Sequence, residues 1–304
     1  ERVESVGIRS INNIVDVSTS ILMETNQPKH IFDLDKLEGT KITVDVAKND
    51  EIFVTLDEQE RKLNNEDIVI KDEKKVVALA GVMGGFNSQI TENTKNILLE
   101  VAHFNPQKIR KTSRRLALIS DSSYRFERGV DRENAINVIN RIANLIQEVA
   151  GGEILQGVVD NYPEVPAKQV AELNFERLNR FVGKEIAREE VIRILKKLEV
   201  IVEDKGENLI LTAPSFRQDL ENEQDYYEEI IRMYGFDNIE NKLPKVEINE
   251  TSTIDTTKLI DRVKLIAAST GLQEVINYSF IPKDGVDKVK FTNVEKENLI
   301  DVLK

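Results

Sequence analysis

Several residue types are missing or rare in this chain of 304 residues. It has no cysteine and only two histidines. The lack of cysteine excludes a disulfide framework, a thiolate metal site and a cysteine nucleophile, and it fits a reducing cytosol. No apolar run approaches the roughly 20 residues that a membrane span needs, and no signal-peptide pattern is present. The formal charge of −12 argues against a general nucleic-acid coat or an anionic-membrane binder.

The length of the chain suggests two or three domains. The chain begins at Glu1 without a methionine and ends at Lys304 inside an unfinished pattern, so we expect it to be part of something longer. The best linker candidate is the segment 161–166, which has two prolines in four residues. A strand–helix–helix–strand–strand–helix pattern follows it to about residue 244. A new pattern begins at Lys245 with a helix over 256–269 and a strand after Gly271.

Hydrophobic periodicity before the linker predicts helices mixed with short strands, and hence an α+β fold in several domains. Ser10 is expected to cap a first helix, Asn105 a second, and Asp131 to begin a third that ends at Gly151. The predicted strands are 41–46, 52–56, 68–71, 76–82, 96–102 and a closing strand at 154–160.

Glu100 is the most informative position, because it interrupts an apolar strand. Its neighbours are apolar on both faces: Leu98 and Ala102 on its own face, and Leu99 and Val101 on the other. We therefore expect Glu100 to be buried, which is costly for a carboxylate unless it is paired. A core does not need such a residue, whereas a pocket that recognises a hydroxyl or an amine does.

His30 and Ser18 are weaker candidates, each with an ordinary alternative. His30 follows the first predicted helix, where a histidine more often lies in a surface turn or interacts with the helix dipole. Ser18 lies four residues from both Ile14 and Leu22, so its hydroxyl points into an apolar stripe. The alternative for Ser18 is a hydrogen bond back to a carbonyl one turn earlier.

A basic patch lies between Asn105 and Arg132, with eight basic and three acidic residues. On an acidic protein such a patch predicts contact with phosphate groups, and a solvated helix face is the alternative. The stretch 119–131 within it, with three serines and an aspartate, resembles neither a nucleophile elbow nor a P-loop. The ordinary alternative is a capped loop with salt bridges. The candidate phosphate contacts are Lys108, Arg110, Lys111, Arg114 and Arg115.

An acidic cluster follows at Asp219, Asp225, Glu228 and Glu229. In a helix the last three share one face, where like charges cost a few tenths of a kcal/mol per pair. Favourable interaction of first-turn acids with the helix dipole is the ordinary explanation. Hard oxygen ligands at this spacing also suit Mg²⁺.

Taken together, seven stretches resemble the β subunit of bacterial phenylalanyl-tRNA synthetase. They occur in the same order over nearly the whole chain: 7–17, 27–30, 79–85, 98–102, 124–131, 214–217 and 231–237. The resemblance implies a multidomain α+β protein. Residues 1–162 would form a mixed β/α tRNA-editing module, and 165–244 a small winged-helix-like domain. Residues 245–304 would be the truncated start of a synthetase-like module without aminoacylation chemistry.

The resemblance also implies the site residues. The editing pocket would comprise Ser18, His30, Gly84, Glu100, Ser120 and Ser122. A Mg²⁺ site shared with the α subunit would comprise Asp219, Asp225, Glu228 and Glu229. The sequence departs from the family at Ser18-Thr19, where Thr-Asn is common, and at Ser120-Asp121-Ser122, where Thr-Asp-Ala is frequent. These changes put pocket fit in question while keeping hydrogen-bonding capacity.

The expected function is that of a cytoplasmic phenylalanine–tRNA ligase β subunit, with the fragment hydrolysing Tyr-tRNA(Phe) after transfer. The implied partners are the α subunit, in an α2β2 assembly, and tRNA(Phe), with no membrane. ATP would be used by the whole enzyme only. The alternative is a non-catalytic scaffold that binds tRNA and docks the α subunit. A third possibility is a DNA-binding winged helix, against which its acidic helix argues.

Overall fold

The computed structural model describes residues 1–243, 256–280, 282 and 285–288. The chain divides into two units, Glu1–Asn241 and Lys242–Lys304, and each is described by itself. Helices and small sheets are mixed along the first unit, so its fold class is α+β, as predicted.

Short strands and helices alternate along the chain. The helices are α1 (Arg2–Ser5), α2 (Asn13–Thr25), α3 (Pro106–Arg115), α4 (Asp121–Phe126), α5 (Ala135–Ala150), α6 (Phe175–Val182), α7 (Arg188–Lys197), α8 (Glu223–Tyr234), α9 (Thr256–Ser269) and α10 (Gly285–Lys288). The strands are β1 (Lys29–Asp33), β2 (Thr43–Val46), β3 (Ile52–Val54), β4 (Glu60–Lys62), β5 (Ile68–Lys71), β6 (Val76–Leu79), β7 (Met83–Gly84), β8 (Ile97–Val101), β9 (Val170–Asn174), β10 (Ile201–Asp204) and β11 (Asn208–Thr212). None of the helices described has the length and apolar composition needed to cross a membrane.

Strands β1 and β8 form an antiparallel ribbon between two apolar cores. Its register pairs His30 with Glu100 and Phe32 with Leu98. On one face Phe32 and Leu98 belong to the larger core. On the other face Ile31 packs with residues of α2 and α5. Side chains alternate along a strand, so Glu100 faces the larger core, between apolar neighbours as the sequence predicts.

The larger core is built on an antiparallel sheet of order β2-β5-β6-β7. All four residues of β6 are buried, and Ile109 of α3 and Phe126 of α4 cover the sheet. Gly81, just after β6, has a φ of +67°, and a Cβ there would lie 2.9 Å from the Phe126 ring. Glycine at this turn therefore allows α4 to approach the sheet closely.

The segment after residue 165 has a core of its own. It contains β9, α6, α7, β10, β11 and α8 in the predicted order, with a three-stranded antiparallel sheet of order β10-β11-β9. One hydrogen bond joins it to the preceding part of the unit, where Nε2 of Gln218 donates to the carbonyl of Val130 at 2.6 Å.

Two predicted helix starts are wrong, and local hydrogen bonds explain both. Asn12, rather than Ser10, caps α2 by accepting from the Val15 N–H at 2.9 Å. The Ser10 hydroxyl donates instead to Asp16. The third helix begins at Ala135, because the carboxylate expected to start it, Asp131, accepts from the Glu133 N–H in a turn.

Strand predictions failed in both directions. Residues 154–160 form no strand, and Leu155 and Val159 are exposed there. Conversely, β1, β4 and the two-residue β7 were not predicted. His30 therefore lies in a strand rather than in a turn. In the second unit α9 coincides with the helix predicted at 256–269. Residues 271–280 form no strand, and the expected module start at Lys245 lies outside the described residues.

Candidate functional site

Two facing residues of the β1–β8 ribbon carry unsatisfied polar atoms. His30 and Glu100 are direct cross-strand partners, and the His30 ring packs edge-on against Phe32 with 4.4 Å between centroids. Within the described part of the chain, Nε2 of His30 and Oε1 of Glu100 are inaccessible to solvent and have no hydrogen-bond partner. Because buried polar atoms are normally paired, this arrangement points to a ligand that supplies both a donor and an acceptor.

Burial controls the protonation of both residues. Removal from water raises the pKa of Glu100 from 4.5 to about 7 and lowers the pKa of His30 from 6.5 to about 4. The imidazole is therefore neutral at pH 7, while the carboxyl group is poised between its two forms. A neutral imidazole can donate or accept a hydrogen bond, and a carboxylate accepts one from a hydroxyl.

Gly84 gives the His30 ring its position against β7. A Cβ at Gly84 would lie 2.2 Å from Cε1 of His30, far inside van der Waals contact. His30, Gly84 and Glu100 line one cavity together with Ser122. The volume that water can occupy in it is about 40 Å³, which holds a few water molecules but not a phenol ring.

The other two predicted pocket residues do not line this cavity. The Ser120 hydroxyl donates to the carbonyl of Val82 at 2.6 Å and accepts from the Ser123 N–H at 3.1 Å, which caps α4. Ser18 lies in α2, and its carbonyl accepts a hydrogen bond from the Lys29 ammonium. The structure thus brings together four of the six residues.

Sequence reasoning missed Lys29 and Met83, which line the same cavity. Lys29 precedes His30 in β1. The segment 27–30 was expected to be a turn, so nothing in the pattern placed Lys29 against β8. The signal that identifies β1 is the alternation of side chains between the two faces over 29–33. Ile31 and Phe32 accordingly pack into different cores.

In the acidic cluster, two of the four carboxylates are held by arginines. Arg217 donates to Asp219 at 2.9 and 2.7 Å and to Glu229 at 3.0 Å. Arg232 donates to the second oxygen of Glu229 at 2.6 Å. The hydrogen bonds from Arg217 hold the pKa values of both acids below their ordinary range.

The remaining two acids are not gathered around a common point. Asp225 accepts the backbone N–H groups of Glu221 and Asn222 at the start of α8, and Glu228 is exposed. Among the residues that the structure describes, no three carboxylate or imidazole groups are arranged to hold a metal ion. The four acids do not fit Mg²⁺ in this arrangement, because guanidinium groups bind Asp219 and Glu229 and backbone N–H groups bind Asp225.

The predicted phosphate contacts lie on the exposed face of α3, and one of them is already paired. Arg115 forms an ion pair with buried Asp67 and donates to the Lys62 carbonyl at 3.1 Å. The others have no carboxylate at ion-pair distance in the described part of the chain. These are Lys108, Arg110, Lys111 and Arg114.

Comparison with protein-family models gives the class of the chain, a subunit of an aminoacyl-tRNA synthetase. Residues 1–151 match the B3/4 domain, 171–236 the tRNA synthetase B5 domain, and 239–304 the phenylalanyl tRNA synthetase beta chain CLM domain. Phenylalanine–tRNA ligase β subunits match more than nine-tenths of the chain at more than 40% identity. The chain therefore belongs to the phenylalanyl-tRNA synthetase β-subunit family.

The relatives are phenylalanine–tRNA ligase β subunits. That of Fusobacterium nucleatum is 50% identical over 283 residues, which are 93% of this chain and 35% of that protein. That of Geobacter metallireducens is 42% identical over 289 residues, 95% of this chain and 36% of that protein. The chain therefore spans about a third of the length of the curated relatives it matches.

Among solved structures, an N-terminal fragment of the phenylalanyl-tRNA synthetase β subunit from Pyrococcus horikoshii is similar. It is 17% identical, with a TM-score of 0.37, over 73% of this chain and 65% of that one.

Proposed function

We propose that residues 1–162 form a tRNA-editing module, which hydrolyses tyrosine wrongly esterified to tRNA(Phe). The observation that supports this most is the facing pair of unsatisfied atoms, Oε1 of Glu100 and Nε2 of His30. A phenol has one O–H donor and an oxygen that accepts, so it satisfies both atoms at once. Phenylalanine lacks the hydroxyl and leaves both atoms unpaired.

The energetic argument for such a second site is the difficulty of rejecting an added hydroxyl. A hydrophobic pocket discriminates against an isostere that adds a hydroxyl by only about 10²-fold. A pocket that hydrogen-bonds the hydroxyl rejects the analogue without it by about 10⁴- to 10⁵-fold. The unpaired Glu100 and His30 are therefore a source of selectivity for tyrosine over the correct amino acid.

Entry of the ring requires movement of side chains. The cavity volume is about 40 Å³, so a phenol ring must shift the side chains that line it. His30 rests on Gly84, and the half-buried Met83 also borders the cavity. We expect Met83 to move when a ring binds, because a methionine side chain is flexible and adapts its shape easily. We expect His30 to shift with it.

The reaction is attack of water on the ester carbonyl carbon. The bond to the ribose oxygen breaks, that oxygen takes a proton, and tyrosine and tRNA(Phe) are released. The Ser120 hydroxyl donates to the Val82 carbonyl, and in the described part of the chain no basic side chain hydrogen-bonds the Ser122 hydroxyl at the cavity. A water molecule positioned beside the bound ester is therefore the nucleophile.

The remaining assignments follow from membership of the family and are also proposals. Residues 165–244 form a winged-helix-like domain, and 245–304 begin a synthetase-like module without aminoacylation chemistry. In the cytoplasm the chain acts within an α2β2 phenylalanine–tRNA ligase, which uses ATP and binds tRNA(Phe) partly through α3. A Mg²⁺ site remains a prediction from the resemblance that the four acids as arranged here do not fit, and no step of the proposed reaction passes through it.

The experiment compares deacylation of Tyr-tRNA(Phe) and Phe-tRNA(Phe) by a β subunit containing this chain, assembled with its α subunit. We expect rapid release of tyrosine only. Glu100→Ala should abolish this release and preserve assembly, because it removes the acceptor for the phenol. Glu60→Ala, at a matched glutamate exposed on strand β4, should behave as wild type. Unchanged tyrosine release by Glu100→Ala contradicts the proposal.

One observation favours a second candidate, a scaffold that binds tRNA and docks the α subunit without catalysis. The cavity is smaller than a phenol ring, as expected for a vestigial pocket that no longer recognises an amino acid. The same assay separates the two functions. A scaffold assembles and supports aminoacylation, but releases tyrosine no faster than free Tyr-tRNA(Phe) does.

A further inference from the structure

Gln218 of the B5 domain reaches the B3/4 domain at the turn that follows α4. Its Nε2 atom donates to the carbonyl of Val130 at 2.6 Å. Its Oε1 atom lies over Gly129, so closely that a Cβ at Gly129 would overlap it. Gly129 has a φ of +90°, so glycine is needed there both for the backbone conformation and for the approach of the amide. The Gln218 amide therefore packs directly on the Gly129–Val130 peptide.

The loop that carries Gln218 is anchored on the B5 side. Arg217, just before it, donates to Glu229 of α8 at 3.0 Å. Leu220, two residues after it, is 1% exposed and belongs to the core of the B5 domain. The carbonyl of Gln218 itself accepts from Nε2 of Gln169 at 3.3 Å. These contacts hold the Gln218 amide at a defined position on the B5 domain.

The turn that Gln218 contacts is continuous with α4. The Gly129 N–H donates to the carbonyl of Phe126, the last residue of α4, at 3.1 Å. Val130 is buried in the same core as Phe126. Helix α4 has only six residues, and a helix this short depends on tertiary contacts for its stability. Gln218 supplies one such contact at the C-terminal end of α4.

Helix α4 forms one wall of the cavity in the candidate site. Ser122 and Phe126 lie one helical turn apart, and both line the cavity. The N-terminal end of the helix is fixed by Ser120, whose hydroxyl donates to the Val82 carbonyl at 2.6 Å. The C-terminal end is held by the contact from the B5 domain. Because packed interiors transmit strain, a displacement of that end changes the position of the Phe126 ring in the cavity wall.

We propose that Gln218 is a positioning residue for the editing cavity: its amide, supplied by the B5 domain, holds the C-terminal end of α4 and with it Phe126. The inference rests on the proposed editing function and extends it, because it makes the B5 domain part of the editing unit. In the described part of the chain Gln218 is not among the residues that line the cavity. It acts through the turn 127–130.

The first measurement is amide hydrogen exchange of the assembled enzyme, followed by mass spectrometry. Gln218→Met keeps the side-chain length and removes the N–H donor. We expect peptides covering 121–130 to exchange about fivefold faster, which is the effect of losing one hydrogen bond. Peptides covering α7 should exchange as in wild type, because the core of the B5 domain is left intact.

The second measurement is single-turnover deacylation of Tyr-tRNA(Phe) and Phe-tRNA(Phe) by the same enzyme. Gln218→Met should lower the preference for the tyrosyl ester about tenfold, because misplacement of a site by about 1 Å costs up to 10²-fold. A smaller folded fraction would lower both rates alike and leave the preference unchanged. The preference therefore separates positioning from a general loss of stability.

Two variants serve as controls. Gln218→Lys keeps a long side chain with N–H donors and should retain most of the preference. Gln147→Met removes an exposed glutamine that also donates to a backbone carbonyl, that of Gly152 at 3.2 Å after the end of α5. This variant should match wild type in both measurements.

The proposal is overturned if Gln218→Met exchanges at 121–130 as wild type does, or if exchange also accelerates in α7, which indicates a general loss of stability. It is likewise overturned if the preference is unchanged in Gln218→Met, or falls equally in Gln218→Lys. Faster exchange at 121–130 alone, in an enzyme whose wild type releases no tyrosine, supports the positioning of α4 and contradicts editing. The two proposals therefore fail separately.

Discussion

Two glutamates in this chain, buried Glu229 and half-buried Glu100, have opposite surroundings. Glu229 receives hydrogen bonds from Arg217 and Arg232, which hold its pKa below the ordinary range. Glu100 faces an apolar core with one oxygen unpaired, and burial raises its pKa to about 7. Both residues lie among apolar neighbours, so burial alone does not decide the role of a carboxylate.

The difference separates a structural acid from a recognition acid. The partners of Glu229 belong to the chain itself, so its hydrogen-bonding capacity is used up in the folded state. Glu100 keeps an acceptor unsatisfied at a cost in stability, which is reasonable only if a ligand supplies the missing donor. Replacing each acid should therefore affect different properties of the protein.

The largest expected effect is on selectivity at Glu100. Glu100→Ala should reduce the preference for tyrosyl over phenylalanyl ester by at least about 10²-fold, because the hydroxyl loses its acceptor. The measurement is single-turnover deacylation of both substrates by the assembled enzyme. An intact preference in this variant would remove the distinction between the two glutamates.

Loss of Glu229 should instead reduce stability. Glu229→Ala leaves Arg232 without its carboxylate and Arg217 with Asp219 alone, so we expect unfolding to become easier by about 3 kcal/mol. Urea denaturation of the full chain measures this change. Glu228→Ala is the matched control, because Glu228 is the exposed neighbour on α8, and a similar loss there would contradict the role of the arginines.

The pH dependence of stability should differ in sign between the two acids. The folded pKa of Glu100 lies above its unfolded value, so its stabilising contribution is complete below pH 4.5 and is lost as the pH rises towards 7. Relative to wild type, the free energy of unfolding of Glu100→Gln should rise by about 1.5 kcal/mol as the pH increases from 4.5 to 7. The effect is smaller than the full pKa shift implies, because the residue is only half-buried.

Glu229 provides the opposite case for the same measurement. Its folded pKa is lowered, so its contribution is present above pH 4.5 and is lost on acidification. Glu229→Gln should therefore fall furthest below wild type near neutral pH. Urea midpoints at several pH values test both variants, and curves of the same sign would contradict the comparison.

A smaller effect is expected at Gly84. The Cβ of Gly84→Ala would overlap the His30 ring and displace it from Glu100. We expect tyrosine release to fall about tenfold, because displacement of a positioning group by about 1 Å costs up to 10²-fold. Gly85→Ala is a poor control, since a Cβ there meets backbone. Gly206→Ala, at an open turn with a φ of +86°, instead reports the effect of local strain alone.

The smallest effects are expected on the basic face of α3. Arg114→Gln should weaken tRNA binding and reduce the slope of log affinity against log salt by about 0.9. Arg115→Gln should change the slope less and reduce stability more, because Arg115 pairs with buried Asp67. Filter binding at several salt concentrations measures the slopes. A slope for Arg114→Gln equal to that of wild type would show that Arg114 on α3 does not contact phosphate.

The sequence predicts a buried Glu100, and the structure gives a half-buried residue with one inaccessible carboxylate oxygen. The partner strand of Glu100 was not predictable. Apolar neighbours on both sides of Glu100 indicate a buried strand with one carboxylate, whatever the rest of the fold. His30 required knowledge of β1, a five-residue strand that follows Gln27 and Pro28 and was expected to be a turn. Cross-strand pairing depends on contacts between distant residues, which periodicity alone does not report.

The arginine partners of the acidic cluster were missed for a similar reason. Helical spacing places Glu228 and Glu229 next to each other but says nothing of Arg217, which approaches from the preceding loop. Ser120 also shows the limit, because its hydroxyl serves as a helix cap rather than facing the cavity. Hydrogen bonds made across loops decide which candidate polar groups remain free for a ligand.

The most direct test is titration of individual glutamate carboxyl carbons by NMR in the full chain. Glu100 should titrate with a pKa of about 7, while Glu229 in the same spectra should titrate below 4.5. A Glu100 pKa near 4.5 would mean that its carboxylate is solvated or already paired, which contradicts its role in recognising a hydroxyl.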